Sequence, residues 1–414
     1  MIRTFSAALL AAACFTFRLD AQQPAQRQLD SLAAQVRALR VRLDSLRAAL
    51  PRRGARPDTT RVQDDDIAAL RAAAAGIIGR DTTAATDTVG QRFVGQERNQ
   101  SQLNPEISVT GDLHAAIQTD GEQHDNFELR EVEFSFQAAL DPYSHTKIFA
   151  GVHEGGIEIE EGYFYYTGLP ARVRLDLGVF RQQLGELNRW HVHSVPETDY
   201  PLALTTFTGA DGLAGAGLSL YRAFGGLGTH ELYAQVTAGS NDVLFEGGNR
   251  PAYLLHLNNF WQLTGSTYMQ LGATGVYGTN PDTALKTTMG GVDLRFTWRP
   301  PDRALYREWT VRAELYGLEK QRAGTGDTRL GAFVGTTYRL GRRWILGARY
   351  DYVETPEGAM EITRQIVPTL TWWQSEWVFL KAEYARRLTP AGAGRDQLRV
   401  QAVWAMGPHK HETY

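Results

Sequence analysis

The chain has 414 residues and a formal net charge of −3 at pH 7, with 43 Lys and Arg against 46 Asp and Glu. That near balance, with a pI of about 6.4, argues against a nucleic-acid partner, which would need a basic face. The length suits one large domain or two smaller ones, and a lone cysteine, Cys14, excludes a disulfide framework.

Residues 1–21 open with a short basic start and continue as an apolar stretch too short to span a bilayer. They end in small residues near Ala21. This pattern predicts a secretory signal peptide that carries Cys14 away on cleavage, with lipid attachment at Cys14 as the alternative processing. No later segment offers 18 uncharged apolar residues, so no transmembrane helix is expected. Export without a helical anchor leaves the periplasm, the outer membrane or secretion.

In residues 22–50, Leu29, Leu32, Val36, Leu39, Leu43, Leu46 and Leu50 recur at spacings of three and four, and Pro51 ends the run. That spacing predicts a short periplasmic coiled coil and self-association; the other reading is one amphipathic helix lying on a neighbouring surface. Residues 51–104, rich in Pro, Thr, Asp and Arg, read as a linker with one short helix near 66–78.

From residue 105 the texture changes. About sixteen alternating segments follow, from 106–118 to 396–406, most of them ten residues or longer. In ARVRLDLGVF (171–180), Val173, Leu175, Leu177 and Val179 alternate with Arg172, Arg174 and Asp176, giving one oily and one polar face. About ten tilted residues is what a bilayer demands of a strand. Every second connection is tight, as in DPYS (141–144), LTGS (263–266) and LGRR (340–343), whereas the others are polar and often longer. Aromatics such as Trp261, Tyr268, Tyr338, Trp344, Trp373 and Trp377 bracket the tight turns, which suits an interfacial girdle. The fold class expected for 105–414 is therefore all-β: a transmembrane antiparallel barrel of about sixteen strands in outer-membrane lipid, preceded by the coiled coil.

Sixteen strands enclose an aqueous lumen. Sorting by parity points Lys147, Arg172, Arg174, Arg295, Arg299, Arg312, Arg349, Lys381, Arg387 and Arg399 into the pore. Glu131, Glu133, Glu158, Glu160, Asp176, Asp293, Glu314, Asp351 and Glu383 share that face. The connection after the fifth segment, 183–211, is far longer than its peers. It carries Arg189, Trp190, His191 and His193, and its apolar residues Leu202, Leu204 and Phe207 require burial. Folded inward it would narrow the pore, with Arg189 and His191 opposite Arg172 and Arg174. The expected result is a locally positive constriction that favours anions, more so below the ordinary histidine pKa of about 6.5.

The ordering of signal, coiled coil and barrel with its long loop after the fifth strand resembles the porins, in particular the phosphate-selective porin O/P family. The stretch LREVEFSFQAALDPYSHTKIFAG resembles that family's early strand pair. The resemblance implies a homotrimeric outer-membrane diffusion channel for small hydrophilic solutes or inorganic anions, phosphate among them. Two features depart from the family: the lumen charges are balanced and poor in Lys, and a proline-bearing tail, MGPHKHETY, follows the last segment.

Other chemistries are weaker. His191 and His193, like His409 and His411, have a metal-capable spacing but no third ligand nearby in sequence, so solvated histidines and no metal or cofactor are expected. The acidic run EGGIEIEEG (154–162) suits a lumen lining better than a cation site. No Ser/His/acid set stands out on the outer face, so enzyme activity is not expected. The competing class is a structural tether, with the coiled coil bound to the cell wall or a periplasmic partner and the barrel as anchor.

Overall fold

The computed structural model describes residues 105–407, apart from 119–126, 249, 282–284, 323–325, 391 and 393. The expected signal peptide, coiled coil and linker, and the tail bearing His409, His411 and Tyr414, lie outside the described residues.

Among the described residues sixteen strands run in order. The first eight are β1 (Glu106–Gln118), β2 (Phe127–Ala139), β3 (Ser144–His153), β4 (Gly156–Tyr166), β5 (Arg174–Arg181), β6 (Ala214–Gly226), β7 (Gly228–Ala238) and β8 (Pro251–Thr264). The rest are β9 (Thr267–Thr279), β10 (Lys286–Trp298), β11 (Glu308–Lys320), β12 (Thr328–Arg339), β13 (Trp344–Glu354), β14 (Ile362–Trp373), β15 (Val378–Leu388) and β16 (Gly394–Met406). Each pairs antiparallel with the next. β1 closes on β16, with Val109 opposite Met406 and Gln118 opposite Gln397. Closure leaves no unpaired edge, which a sheet in hydrocarbon requires.

The alternation decides which face meets what. On β8, Leu255 is 55% exposed and its neighbour His256 only 2%. Leu218, Leu271, Leu346 and Ile366 likewise face out, while Thr110, Asp112, Gln235, Asp293 and Gln401 are buried inside. An apolar shell around a polar interior is the reverse of a soluble sandwich, and the shell's solvent is lipid.

One rim carries the short turns, such as the single residue between β6 and β7 and the pair between β8 and β9. The other rim carries most of the longer connections, although β3 and β4 are joined there by residues 154–155 alone and the nine-residue β10–β11 connection (299–307) lies on the short-turn rim.

Besides a shift beside the β8–β9 turn, at Gln262–Thr264, two bulges break the simple parity. Between β1 and β2 the register passes from Asp112–Glu131 to Leu113–Leu129, leaving Arg130 extra. Between β3 and β4 it passes from Phe149–Glu161 to Ala150–Ile159, leaving Glu160 extra. A bulge turns two consecutive side chains toward one face. Arg130 therefore joins Glu131 inside the barrel, and Glu161 joins Glu160. The parity expectation also misplaces Arg172, which lies not on the wall but on the β4–β5 turn. There it ends a 3-10 turn (Pro170–Arg172) and is exposed.

Candidate functional site

The connection between β5 and β6, residues 182–213, enters the lumen and touches the wall on several sides. Its entry is shaped by Gly185, whose φ of +61° and closeness to Glu314 Oε2, 2.7 Å from where a Cβ would sit, leave no room for a side chain. The Glu186 and Leu187 amides donate to Glu314 Oε1 at 2.8 and 3.0 Å. Asn188 closes the base. It donates to the Gln182 and Leu213 carbonyls, both at 2.8 Å, and accepts from the Leu213 amide at 2.7 Å.

Charged wall residues then meet loop groups in sequence. Arg295 and Arg312 are directly paired across β10 and β11 and would repel each other; the buried Glu186 carboxylate accepts from both, at 2.8 and 3.3 Å. Lys381 donates to the Val195 and Glu197 carbonyls at 2.8 and 2.6 Å. Arg349, with a side chain 1% exposed, binds Glu197 at 2.8 Å, Asp351 at 3.0 Å and the Asp199 carbonyl at 2.9 Å. Asp199 is clasped between Arg130, at 3.1 Å, and Arg399. Burial works against the Asp199 charge, but the Arg399 and Arg130 guanidiniums outweigh it and hold the carboxyl below its usual range.

His191 and His193 are buried, contrary to the expectation of solvated rings. His191 Nδ1 lies 2.5 Å from Glu133 and 3.0 Å from Glu160, and Nε2 lies 2.9 Å from Glu161. Burial opposes charging this ring, yet Glu133, Glu160 and Glu161 raise its pKa well above the ordinary value. The ring charge is therefore neutralised locally and does not face Arg172 as expected. His193 Nδ1 lies 3.6 Å from Glu131.

The apolar part of the loop forms α1 (Leu202–Thr208), which rests on β12 and β13. At Gly331 a Cβ would stand 2.9 Å from both the Ala203 methyl and the Phe207 ring, so the glycine lets the helix lie close to the wall. Leu204 and Phe207 join Leu254, Val276, Met289 and Leu318 in one buried cluster. It also takes in Leu244 and Phe245 from α2 (Asp242–Phe245) of the β7–β8 connection.

Trp190 marks the loop's lower surface, where three cavities meet. One of about 250 Å³ is lined by Arg174, Arg181 and Arg189, balanced by Glu161, Asp176 and Glu231, with four tyrosines, among them Tyr163 and Tyr233. A second, of about 510 Å³, holds Arg295, Arg299 and Arg312 against the single carboxylate of Glu308. A third, of about 490 Å³, holds Arg312, Arg339 and Lys381 against Glu376. Arg312 stacks on the Trp190 ring at 5.1 Å.

Among the sequence candidates, Lys147, Arg174, Arg295, Arg312, Arg349, Lys381, Arg387 and Arg399 thus sit on the inner wall. Arg299 lies at the short-turn mouth, 3.3 Å from Glu308. Arg349, Lys381 and Arg399 are covered by the loop and act as its anchors, not as water-facing charges. The residues that parity missed are Arg130 and Glu161. The loop acids Glu186, Glu197 and Asp199 were in plain view, since an acidic insertion facing a basic wall is a signal of docking.

No protein-family model and no curated protein sequence matches the chain. Solved structures do. An anion-selective porin from Comamonas acidovorans superimposes with a TM-score of 0.52 at 10% identity, over 72% of this chain and 99% of that one. The outer membrane channel DcaP of Acinetobacter baumannii gives 0.52 at 14% identity, over 73% and 96%. A loop-deletion mutant of OmpT, an outer membrane protein of Vibrio cholerae, gives 0.52 at 12% identity, over 72% and 99%. At such identities the likeness is one of fold, and the fold is a sixteen-stranded barrel of the outer-membrane type.

Proposed function

We propose that the protein is an outer-membrane porin, a diffusion channel for small hydrophilic solutes with a preference for anions, constricted by the loop at 183–211. The observation that carries this reading is the loop itself. It is tethered inside a lipid-facing barrel beside three cavities, in two of which cationic side chains outnumber carboxylates. Around Arg295, Arg299 and Arg312 there is one acid, Glu308, and around Arg312 and Arg339 one acid, Glu376, with Lys381 of that cavity held by the loop carbonyls. Fixed charge in a narrow, low-dielectric passage biases which ion enters. The resemblance to the phosphate-selective family extends the preference to phosphate. The short-turn rim then faces the periplasm, where the N-terminal coiled coil supports a homotrimer. One of the OmpT structures is itself a trimer form. The reaction is passage, not catalysis.

Planar-bilayer recordings test this. The expected result is a stepwise conductance with a reversal potential of anionic sign in a salt gradient, and a larger conductance with less selectivity when residues 188–205 are deleted. The loop's many wall contacts favour one second reading, a sealed barrel serving as an anchor. Absence of conductance in both proteins would establish that reading instead.

A further inference from the structure

We propose a divalent transition-metal site between β2, β3 and β4, formed by Glu131, His153 and Glu160. The starting point is Gly151, which faces the lumen on β3. The position a Cβ would take there is 2.8 Å from each of three atoms: Glu131 Oε1, Glu160 Oε1 and His153 Nε2. Three potential ligand atoms from three strands converge on one side-chain-free point, within 4.8 Å of one another. An ion seated above the glycine, clear of its Cα, reaches all three after small movements to the roughly 2.0–2.2 Å that first-row metals take from oxygen and nitrogen.

Two further observations point to a ligand. The His153 ring is set by its partner: Nδ1 lies 2.8 Å from the carbonyl of the bulge residue Arg130. A carbonyl only accepts, so Nδ1 carries the proton and Nε2 offers its lone pair to the point above Gly151. An imidazole held in this way by a backbone carbonyl is the usual outer-shell support of a metal ligand. Second, Glu131 is only 3% exposed, and no third residue donates a hydrogen bond to its Oε1 or to Glu160 Oε1; the two carboxyls face each other, so a shared proton or a cation must lie between them. Buried carboxylate oxygens need a donor or a cation.

The charges nearby agree. Glu131, Glu133, Glu160 and Glu161 meet two cations, Arg181 on Glu160 and His191 on Glu133 and Glu161. Arg130 is engaged by Asp112 and Asp199, and His193 faces the other Glu131 oxygen at 3.6 Å. The four carboxylates still outnumber the cations that meet them, His193 included, and a divalent ion offsets that excess. A proton shared between Glu131 and Glu160 is the competing occupant. The imidazole with two carboxylates suits zinc, cobalt or manganese better than calcium. The parity bulges create the site, because Glu160 is the inserted residue and Arg130 supplies the carbonyl.

The test titrates Co²⁺ into the full-length protein in detergent, following the visible absorption of the bound ion, with Zn²⁺ as competitor. The expected result is one Co²⁺ per chain beyond any tail binding, displaced by Zn²⁺. His153→Ala, Glu131→Gln and Gly151→Ala should each weaken it by at least about tenfold; Gly151→Ala keeps every ligand residue while its methyl crowds the three ligand atoms. His191→Ala should retain the spectrum. Strand circular dichroism confirms that each variant is folded. Equal binding by the native protein and the folded His153→Ala and Gly151→Ala variants would overturn the site, as would loss of the spectrum on His191→Ala alone.

Discussion

The two flanks of the inward loop are held by different physics. On one, α1 presents Ala203 and Phe207 to Gly331 of β12 and, with Leu204, joins an apolar cluster continuous with α2. On the other, Glu197, Asp199 and His191 meet Arg349, Arg130, Arg399 and the β2–β4 carboxylates. Apolar packing is insensitive to pH and tolerates exchange of like-sized groups. A buried ionic clamp contributes little net stability while intact, is costly when half is removed, and fixes one geometry. The apolar flank therefore supplies adhesion, and the ionic flank supplies position.

The largest effect should come from breaking the clamp on one side only. Arg349→Met strands Glu197 and Asp351 in the interior and should weaken loop docking by about 3–5 kcal/mol. Limited proteolysis of the loop and channel noise would report it. Removing the carboxylates as well, with Glu197→Gln and Asp351→Asn, should restore most of the loss. Failure of that restoration would show that Arg349 acts through its packing and not its charge. On the apolar flank Leu204→Ala should cost about 3 kcal/mol, within the range for a buried leucine. No charge change elsewhere should rescue it, while the strand ladders keep the barrel itself intact.

Most of the barrel was legible in the sequence, because alternation of oily and polar residues over ten or more positions has one structural meaning. All sixteen expected segments coincide with β1 to β16 within a few residues. The inward loop was legible too, since Leu202, Leu204 and Phe207 have no place in water. What escaped was whatever depends on one extra residue. Parity fails silently past a bulge, so Arg130 and Glu161 are absent from the lumen residues that alternation picks out. The histidines were read as solvated because their partners, on β2 and β4, lie about 30 to 60 residues upstream. A pairwise spacing rule does not reach that far.

The two flanks should also separate by pH. His191 has a raised pKa in the folded protein, so its contribution to docking is fully present below about 6.5, the ordinary value. That contribution is lost only as pH rises through the elevated folded value. Asp199 has a lowered pKa, so its contribution is present above about 3.9, the ordinary value, and is lost as pH falls through the depressed one. Docking should therefore be flat across neutral pH and loosen at the alkaline and acid extremes, with Leu204→Ala shifting the whole curve without changing its shape. A selectivity step near pH 6.5, which solvated histidines would give, is not expected. Channel noise recorded across that pH range checks both statements.

The smallest effect belongs to the vestibule beneath Trp190, where neither flank is disturbed. Arg312 borders two cavities at once, stacks on Trp190 and shares Glu186 with Arg295. In Arg312→Gln, Arg295 remains to satisfy Glu186, so the loop should stay docked and the single-channel noise should not change. What changes is one positive charge beside the path. At about 7 Å in a water-like medium a unit charge acts on a passing ion with about 0.6 kcal/mol, equivalent to about a threefold change in relative permeability. The anion preference should fall by no more than that, and the loss should shrink as salt rises and the Debye length shortens. Arg303→Gln provides the control, because that side chain lies exposed on the β10–β11 turn beside Asp302. If Arg312→Gln left the reversal potential where it was, the bias would have to arise at the cavity of Arg174, Arg181 and Arg189, and the cationic vestibule would be a structural by-product of anchoring the loop.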